Sequence, residues 1–162
     1  LLALVSKDGW HCMYESFQTS YMKLVNGSCR LTVHRNSFVE LLQSSDLLLC
    51  MAGTAAEQAI GLAKPVIQLP GRGPQFTSSF AEAQRRLLGK TVFCAKEDSF
   101  NKRNLFLETA NLILLIFNQL HQDSQLKNDC VKEALCRLGS KGGTQRITSS
   151  INELIFKFGL HE

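Results

Sequence analysis

The feature that most constrains this chain is a strand–loop–helix–strand–loop pattern over residues 46–76. Leu47–Cys50 and Val66–Leu69 are short apolar runs, which is typical of strands that are buried on both faces. Small side chains after the first run lead into a helix predicted over Glu57–Ala63, and Pro65 ends it. Consecutive strands joined by a helix form a parallel crossover unit. We therefore predict an α/β fold with a doubly wound, Rossmann-like parallel sheet.

Loops of small residues follow both predicted strands, at positions 52–56 and 70–75. Ligands of such sheets bind beyond the carboxyl ends of the strands, so we expect both loops to face one crevice. A helix N-terminus offers free backbone N–H groups and the positive end of the helix dipole. Gly53, Thr54 and Ala55 would let an anion approach those groups closely. The pattern therefore predicts a site for a phosphate or diphosphate.

Two charged residues extend the predicted site. The Glu57 carboxylate suits a neutral diol such as a ribose, which can donate two hydrogen bonds to it. Arg72, between Gly71 and Gly73, can reach a diphosphate with its planar guanidinium. Two alternatives stay open, because Thr54 and Glu57 also fit a capping box and the second loop also fits an ordinary surface turn.

Three further residues are candidates for contact with the nucleotide or the sugar. His34 is predicted at the carboxyl end of a strand over Arg30–His34, on the same rim as the two loops, where it would contact a base or a ribose. Gln75 and Phe76 precede the next helix, where a donor sugar would lie. The alternatives are a polar strand end for His34 and a hydrophobic staple for Phe76.

The rest of the chain is predicted to alternate strands and helices around this unit, within one domain of 162 residues. The upstream elements are a strand at Trp10–Tyr14, a helix at Gln18–Val25, the Arg30–His34 strand and a short helix opened by a capping box at Ser37–Glu40. The downstream elements are a helix to Leu88, a strand at Thr91–Cys94 and helices at Asn101–His121, Leu126–Leu138 and Ile147–Phe158.

The composition indicates which kinds of partner and which cellular location to expect. The net charge of +4 is modest, and the aromatic residues do not interleave with basic ones, so we expect no nucleic acid partner. The six cysteines form no Cys-x-x-Cys pair and have no histidine at metal-binding spacing, so we expect no metal and an intracellular, reducing location. The chain opens on an apolar stretch without Met, which indicates a fragment of a longer protein.

Residues 52–89, AGTAAEQAIGLAKPVIQLPGRGPQFTSSFAEAQRRLLG, resemble the donor-binding half of the lipid-A-disaccharide synthase-related proteins. Those proteins are two-domain glycosyltransferases of the GT-B type. A weaker similarity covers Gly139–Leu154, which resembles the closing helix of that family. The lipid-A-disaccharide synthases themselves carry their acidic residue one position further from the glycine than Glu57 lies from Gly53.

The resemblance implies a UDP-sugar donor, with the Gly-Pro-Gln-Phe stretch that contains Gln75 and Phe76 as part of its site. The two loops contain no metal-binding Asp-x-Asp, so we expect the donor to bind without metal. It implies the C-terminal domain of a GT-B architecture, with extra C-terminal helices and without the N-terminal domain that binds the acceptor and commonly holds the base. No catalytic residue is assigned, so this chain alone is expected to be inactive. The expected location is the plastid (chloroplast) or the cytoplasm, peripheral to a membrane. The alternative is a non-catalytic UDP-sugar-binding subunit that needs a partner carrying the acceptor half.

Overall fold

The structure is a computed structural model that describes residues 9–16, 21–51, 53–69, 77–95 and 102–159. The chain folds into two compact units, Leu1–Ser45 and Asp46–Glu162. The second unit begins at the residue that opens the strand–loop–helix pattern. The expectation of one nucleotide-sugar-binding domain over residues 1–162 stays a prediction.

The first unit contains a three-stranded antiparallel sheet in the order β1-β2-β3. Met22 and Leu24 are buried while Lys23 between them is exposed, which is the period-two pattern of a strand. Asn26 pairs with Cys29 at the closed end of the β2–β3 hairpin. The elements of this unit are β1 (His11–Ser16), β2 (Tyr21–Asn26), β3 (Cys29–His34) and α1 (Phe38–Ser44).

The helix predicted over Gln18–Val25 is wrong, since Tyr21–Asn26 is the central strand of this sheet. Gly27 has φ +57°, which lets the chain reverse within two residues. The reversal brings β2 against β3, and the hydrogen bonds of that ladder outweigh a local helical preference. The strands predicted at Trp10–Tyr14 and Arg30–His34 are confirmed with slightly shifted ends.

The capping box predicted at Ser37 is also wrong, although helix α1 begins where it was expected. Ser37 is the N-cap residue, but its side chain makes no capping hydrogen bond. Its hydroxyl lies 3.4 Å from the Arg35 carbonyl, to which it donates instead. The free N–H groups of the first turn therefore receive no hydrogen bond from this hydroxyl.

The second unit contains a three-stranded parallel sheet in the order β4-β5-β6, flanked by helices. Leu48 pairs with Val66, and Val66 pairs with Val92, so the three strands are in register. Its strands are β4 (Leu48–Cys50), β5 (Val66–Gln68) and β6 (Val92–Cys94). Its helices are α2 (Thr54–Gly61), α3 (Ser78–Leu88), α4 (Lys102–Gln122), α5 (Ser124–Leu138) and α6 (Gly143–Lys157). The α/β class and the parallel crossover unit are confirmed, while the doubly wound and GT-B arrangements stay predictions.

The core of the second unit lies between the central strand and the long helix α4. Ile67 of β5 is fully buried and forms one cluster with Ile116 and Leu120 of α4. Ile116 and Leu120 are four residues apart, so they lie on one face of this helix. Leu47, Phe93, Leu112, Ile113 and Leu126 pack against this cluster and are partly buried.

In three helices the pattern of burial differs from the one that their apolar residues indicate. In α3, the polar residue Gln84 is buried, whereas the apolar residue Leu87 is 65% exposed. In α5, the buried residues are Cys130 and Ala134, while Val131, Leu135 and Leu138 are exposed. None of the described residues of α6 is buried. In the ranges that the structure describes, no helix combines the length and apolar content needed to cross a membrane.

Candidate anion-binding site

Helix α2 begins directly after the carboxyl end of β4, at the position predicted for the phosphate. Gly53 is its N-cap residue, with φ +91° and ψ −160°. That backbone conformation is open to glycine and strained for other residues. The Ala56 N–H donates to the Gly53 carbonyl over 2.9 Å, so the first turn of the helix closes on Gly53.

The capping box considered for Thr54 and Glu57 is wrong. A capping box needs the hydroxyl residue at the N-cap and the acidic residue three positions later. Gly53 occupies the N-cap, which places Thr54 at the first helical position and Glu57 at the fourth. Within the described part of the chain, no side-chain hydrogen bond caps this helix start, so those residues leave its first N–H groups to water or a ligand.

The helix start is also accessible. Gly53 and Thr54 are exposed and Ala55 is half-buried. A Cβ atom added to Gly53 would meet no heavy atom of the described residues within 4 Å, so none of them fills the space beside it. Glu57 is exposed one turn into the helix. An anion could therefore reach the N-terminus of α2 without displacing a described side chain.

The opposite face of α2 is anchored in the core. Ala56 and Ala59 are fully buried and Ile60 is 1% exposed, where α2 packs on β4, β5 and helix α5. A Cβ atom added to Gly61 would lie 3.3 Å from a methyl carbon of Leu138, so α2 and α5 approach closely there. These contacts fix the direction in which the helix N-terminus points.

Gln68 is a residue of this site that the sequence reasoning missed. It ends β5 and is 2% exposed, and its Nε2 donates to the Met51 carbonyl over 3.0 Å. Its Oε1 is buried and has no hydrogen-bond partner within the described part of the chain. The sequence feature that could have identified Gln68 is its position as the single polar residue in the apolar run Val-Ile-Gln-Leu.

Cys50 lies at the end of β4, just before the connection to α2. Burial raises the pKa of its thiol above the ordinary value. The thiol therefore stays neutral near pH 7 and adds no negative charge beside the helix start. The described residues contain no group of three histidine, cysteine or acidic side chains that could hold a metal ion.

The structure brings only part of the predicted site together. Gly53, Thr54, Ala55 and Glu57 share the first turn of α2 or its N-cap. His34 ends β3 of the antiparallel sheet, where it stacks on Tyr21 at 5.5 Å, so its placement in the parallel sheet is wrong. Its role in ligand binding stays a prediction. Gly71, Arg72, Gly73, Gln75 and Phe76 lie outside the described residues.

Searches of protein-family models, of curated proteins and of solved structures find no match to this chain.

Proposed function

We propose that this chain is the donor-binding half of a UDP-sugar-dependent glycosyltransferase of the GT-B type, transferring a hexosyl or hexosaminyl group as the lipid-A-disaccharide synthases do. The observation that carries the proposal is the accessible, uncapped start of α2 at Gly53, beyond the carboxyl end of a parallel strand. That is where open parallel sheets bind ligands, and the free N–H groups there favour an anion.

In this proposal the diphosphate of the donor binds at the N–H groups of Thr54 and Ala55. The helix dipole contributes about 0.3–1 kcal/mol, and each hydrogen bond to a charged oxygen about 1.5–3 kcal/mol. The same contacts would stabilise the negative charge that develops on the leaving diphosphate during transfer. Arg72 would add a second positive charge from the following loop.

Glu57 is assigned to the ribose. Its carboxylate lies one turn from the diphosphate site and is exposed, so it can accept hydrogen bonds from a diol. A carboxylate in the first helical turn also stabilises the helix by interaction with the dipole. The two roles differ in what the loss of the carboxylate would change, which is ligand affinity in one case and helix stability in the other.

Replacement of Glu57 by alanine separates these roles. If Glu57 holds the ribose, Glu57→Ala weakens UDP binding by about 1.5–3 kcal/mol, which is roughly tenfold or more. Gln58→Ala is the matched control, because Gln58 is the next residue of the same helix and is also exposed. Calorimetric titration measures both affinities, and chemical denaturation checks that both variants keep the stability of the parent chain.

Equal UDP affinity of the parent chain and Glu57→Ala would remove the ribose assignment.

Catalysis would still need an acceptor site and a base, which we assign to an N-terminal domain or a partner subunit, with the acceptor presented at a membrane surface. A chain that binds UDP and shows no transfer even with that half added would fit the alternative of a non-catalytic binding subunit.

A further inference from the structure

Gln68 has no role in the sequence-based site, yet it forms a bond that reaches the connection between β4 and α2. We infer that Gln68 is the positioning residue of that connection, holding Met51 so that the N–H groups of α2 point at the bound anion. The inference rests on the proposed function and deepens it, since it assigns the part of the fold that orients the phosphate site.

The backbone hydrogen bonds between β4 and β5 end at Cys50, and the next bond to β4's end is donated by the Gln68 side chain. Cys50 is paired with Gln68, and the Leu69 N–H donates to the Cys50 carbonyl over 2.8 Å. The next carbonyl along the chain, that of Met51, accepts from Gln68 Nε2 at 3.0 Å. The Met51 side chain is 53% exposed and gives the connection little anchorage in the core. The amide of Gln68 thus extends the ladder by one residue, toward Gly53.

A hydrogen bond that fixes Met51 is needed because Gly53 has no intrinsic preference for the backbone conformation that it adopts. Glycine samples positive and negative φ with similar ease, so the φ of +91° at Gly53 must be imposed by its surroundings. On the helix side, the Ala56 N–H bond to the Gly53 carbonyl supplies one constraint. On the strand side, the bond from Gln68 to the Met51 carbonyl supplies the other.

The environment of Gln68 argues against a packing role alone. Val66 and Ile67, its neighbours in β5, are fully buried, and an aliphatic residue would fill the third position without burying a polar group. Glutamine instead leaves Oε1 buried without a partner among the described residues, which is unfavourable. The Nε2 bond to Met51 is the interaction that an aliphatic side chain could not make.

Two substitutions in the full chain test the inference. Gln68→Met keeps the length of the side chain and removes the donor, so we expect amide hydrogen exchange at positions 51–56 to accelerate at least tenfold and UDP affinity to fall about tenfold. Exchange in α4 should stay at the parent rate. Gln84→Met is the matched control, because Gln84 is also buried and its Oε1 also has no partner among the described residues, but it lies in α3.

Gln68→Glu gives a second measurement that remains informative if the methionine variant does not fold. The protonated acid can donate to the Met51 carbonyl and the carboxylate cannot, and burial raises the pKa of a glutamate. The ratio of the UDP affinity of Gln68→Glu to that of the parent chain should therefore be close to one at pH 5 and should fall as the pH rises to 8. The ratio to the parent chain cancels the titration of UDP itself.

Parent-like exchange at positions 51–56 in Gln68→Met would overturn the inference, as would a pH-independent affinity ratio in Gln68→Glu. Loss of UDP affinity with unchanged exchange would also overturn it, since Gln68 would then act without positioning the connection. If the folded parent chain does not bind UDP, the proposed function fails, and the exchange measurement alone still decides whether Gln68 positions this connection.

Discussion

Cys130 of α5 shows how far the interior of the second unit shields a single side chain. It is 1% exposed, and burial raises the pKa of its thiol to about 11, with the Asp129 carboxylate as a smaller cause. Asp129 itself is held by Lys90 at 2.8 Å, and that contact lowers the pKa of the Asp129 carboxyl group. Cys130 is therefore a neutral core residue at physiological pH.

The raised pKa predicts a large difference in thiol reactivity within one helix. At pH 8 a thiol with a pKa near 11 is about 0.1% thiolate, and the thiolate is the form that reacts with iodoacetamide. We expect iodoacetamide to alkylate Cys130 at least 100-fold more slowly than Cys136, which is exposed on the same helix. Peptide mass spectrometry over a time course measures both rates, and similar rates would contradict this account of the core.

The residues of the candidate anion-binding site were predictable from the sequence to different degrees. Gly53 was predictable, because a glycine between an apolar strand and a helix marks a close approach or an unusual φ. The exact start of α2 was not, since Thr54 and Glu57 have the spacing of a capping box and only the backbone shows that Gly53 occupies the N-cap. Gln68 was missed because its partner, the Met51 carbonyl, lies 17 residues away in the chain.

Among the elements, α2 has a C-terminus whose geometry the sequence does not favour. The Lys64 N–H donates to the Ala59 carbonyl and the Ala63 N–H to the Ile60 carbonyl, both at 2.9 Å, which is the Schellman pattern. The residue with left-handed backbone in that pattern is Ala63, with φ +55°, where glycine is usual. Pro65 follows and prevents the helix from continuing, so the chain accepts a strained alanine.

Replacement of Ala63 by glycine should therefore stabilise the protein. We expect Ala63→Gly to raise the free energy of unfolding by about 0.5–1 kcal/mol, because relief of the Cβ clash outweighs the greater freedom of glycine in the unfolded chain. The corresponding rise in Tm is about 1–4 °C for a chain of this size.

Thermal and urea denaturation measure the effect of Ala63→Gly. The matched control is Ala83→Gly in the interior of α3, where Ala83 is exposed and helical, and where glycine should lower stability by about 0.5–1 kcal/mol. A loss of stability in both variants would contradict the left-handed conformation of Ala63.

For the whole molecule, the local patterns predicted all three strands of the parallel sheet, but they predicted the central strand of the antiparallel sheet, Tyr21–Asn26, as a helix. The runs Leu47–Cys50 and Val66–Leu69 are apolar and short, and a helix of that length between them leaves few topologies. Tyr21–Val25 has too few residues to separate a period of two from one of 3.6, and its pairing with β3 decided the outcome. The Asn-Gly pair after it was the hairpin signal that the helix prediction overlooked.

The faces that the helices bury were the least predictable feature. Apolar spacing found all three C-terminal helices, but α6 has no buried residue among those described, and Ile147, Ile151 and Leu154 are at least half exposed. Spacing identifies an apolar face, whereas burial depends on which neighbour the fold brings to it. The same holds for α5, where Cys130 and Ala134 face the core in place of the larger residues.

Calorimetric titration of this chain with UDP measures whether the start of α2 binds the diphosphate of a UDP-sugar. Inorganic phosphate is the control ligand, and circular dichroism establishes that the chain is folded. We expect saturable UDP binding with a dissociation constant in the micromolar range, about −8 kcal/mol, and much weaker binding of phosphate. A folded chain that gives no more heat with UDP than with phosphate would contradict the assignment of this helix start to the diphosphate.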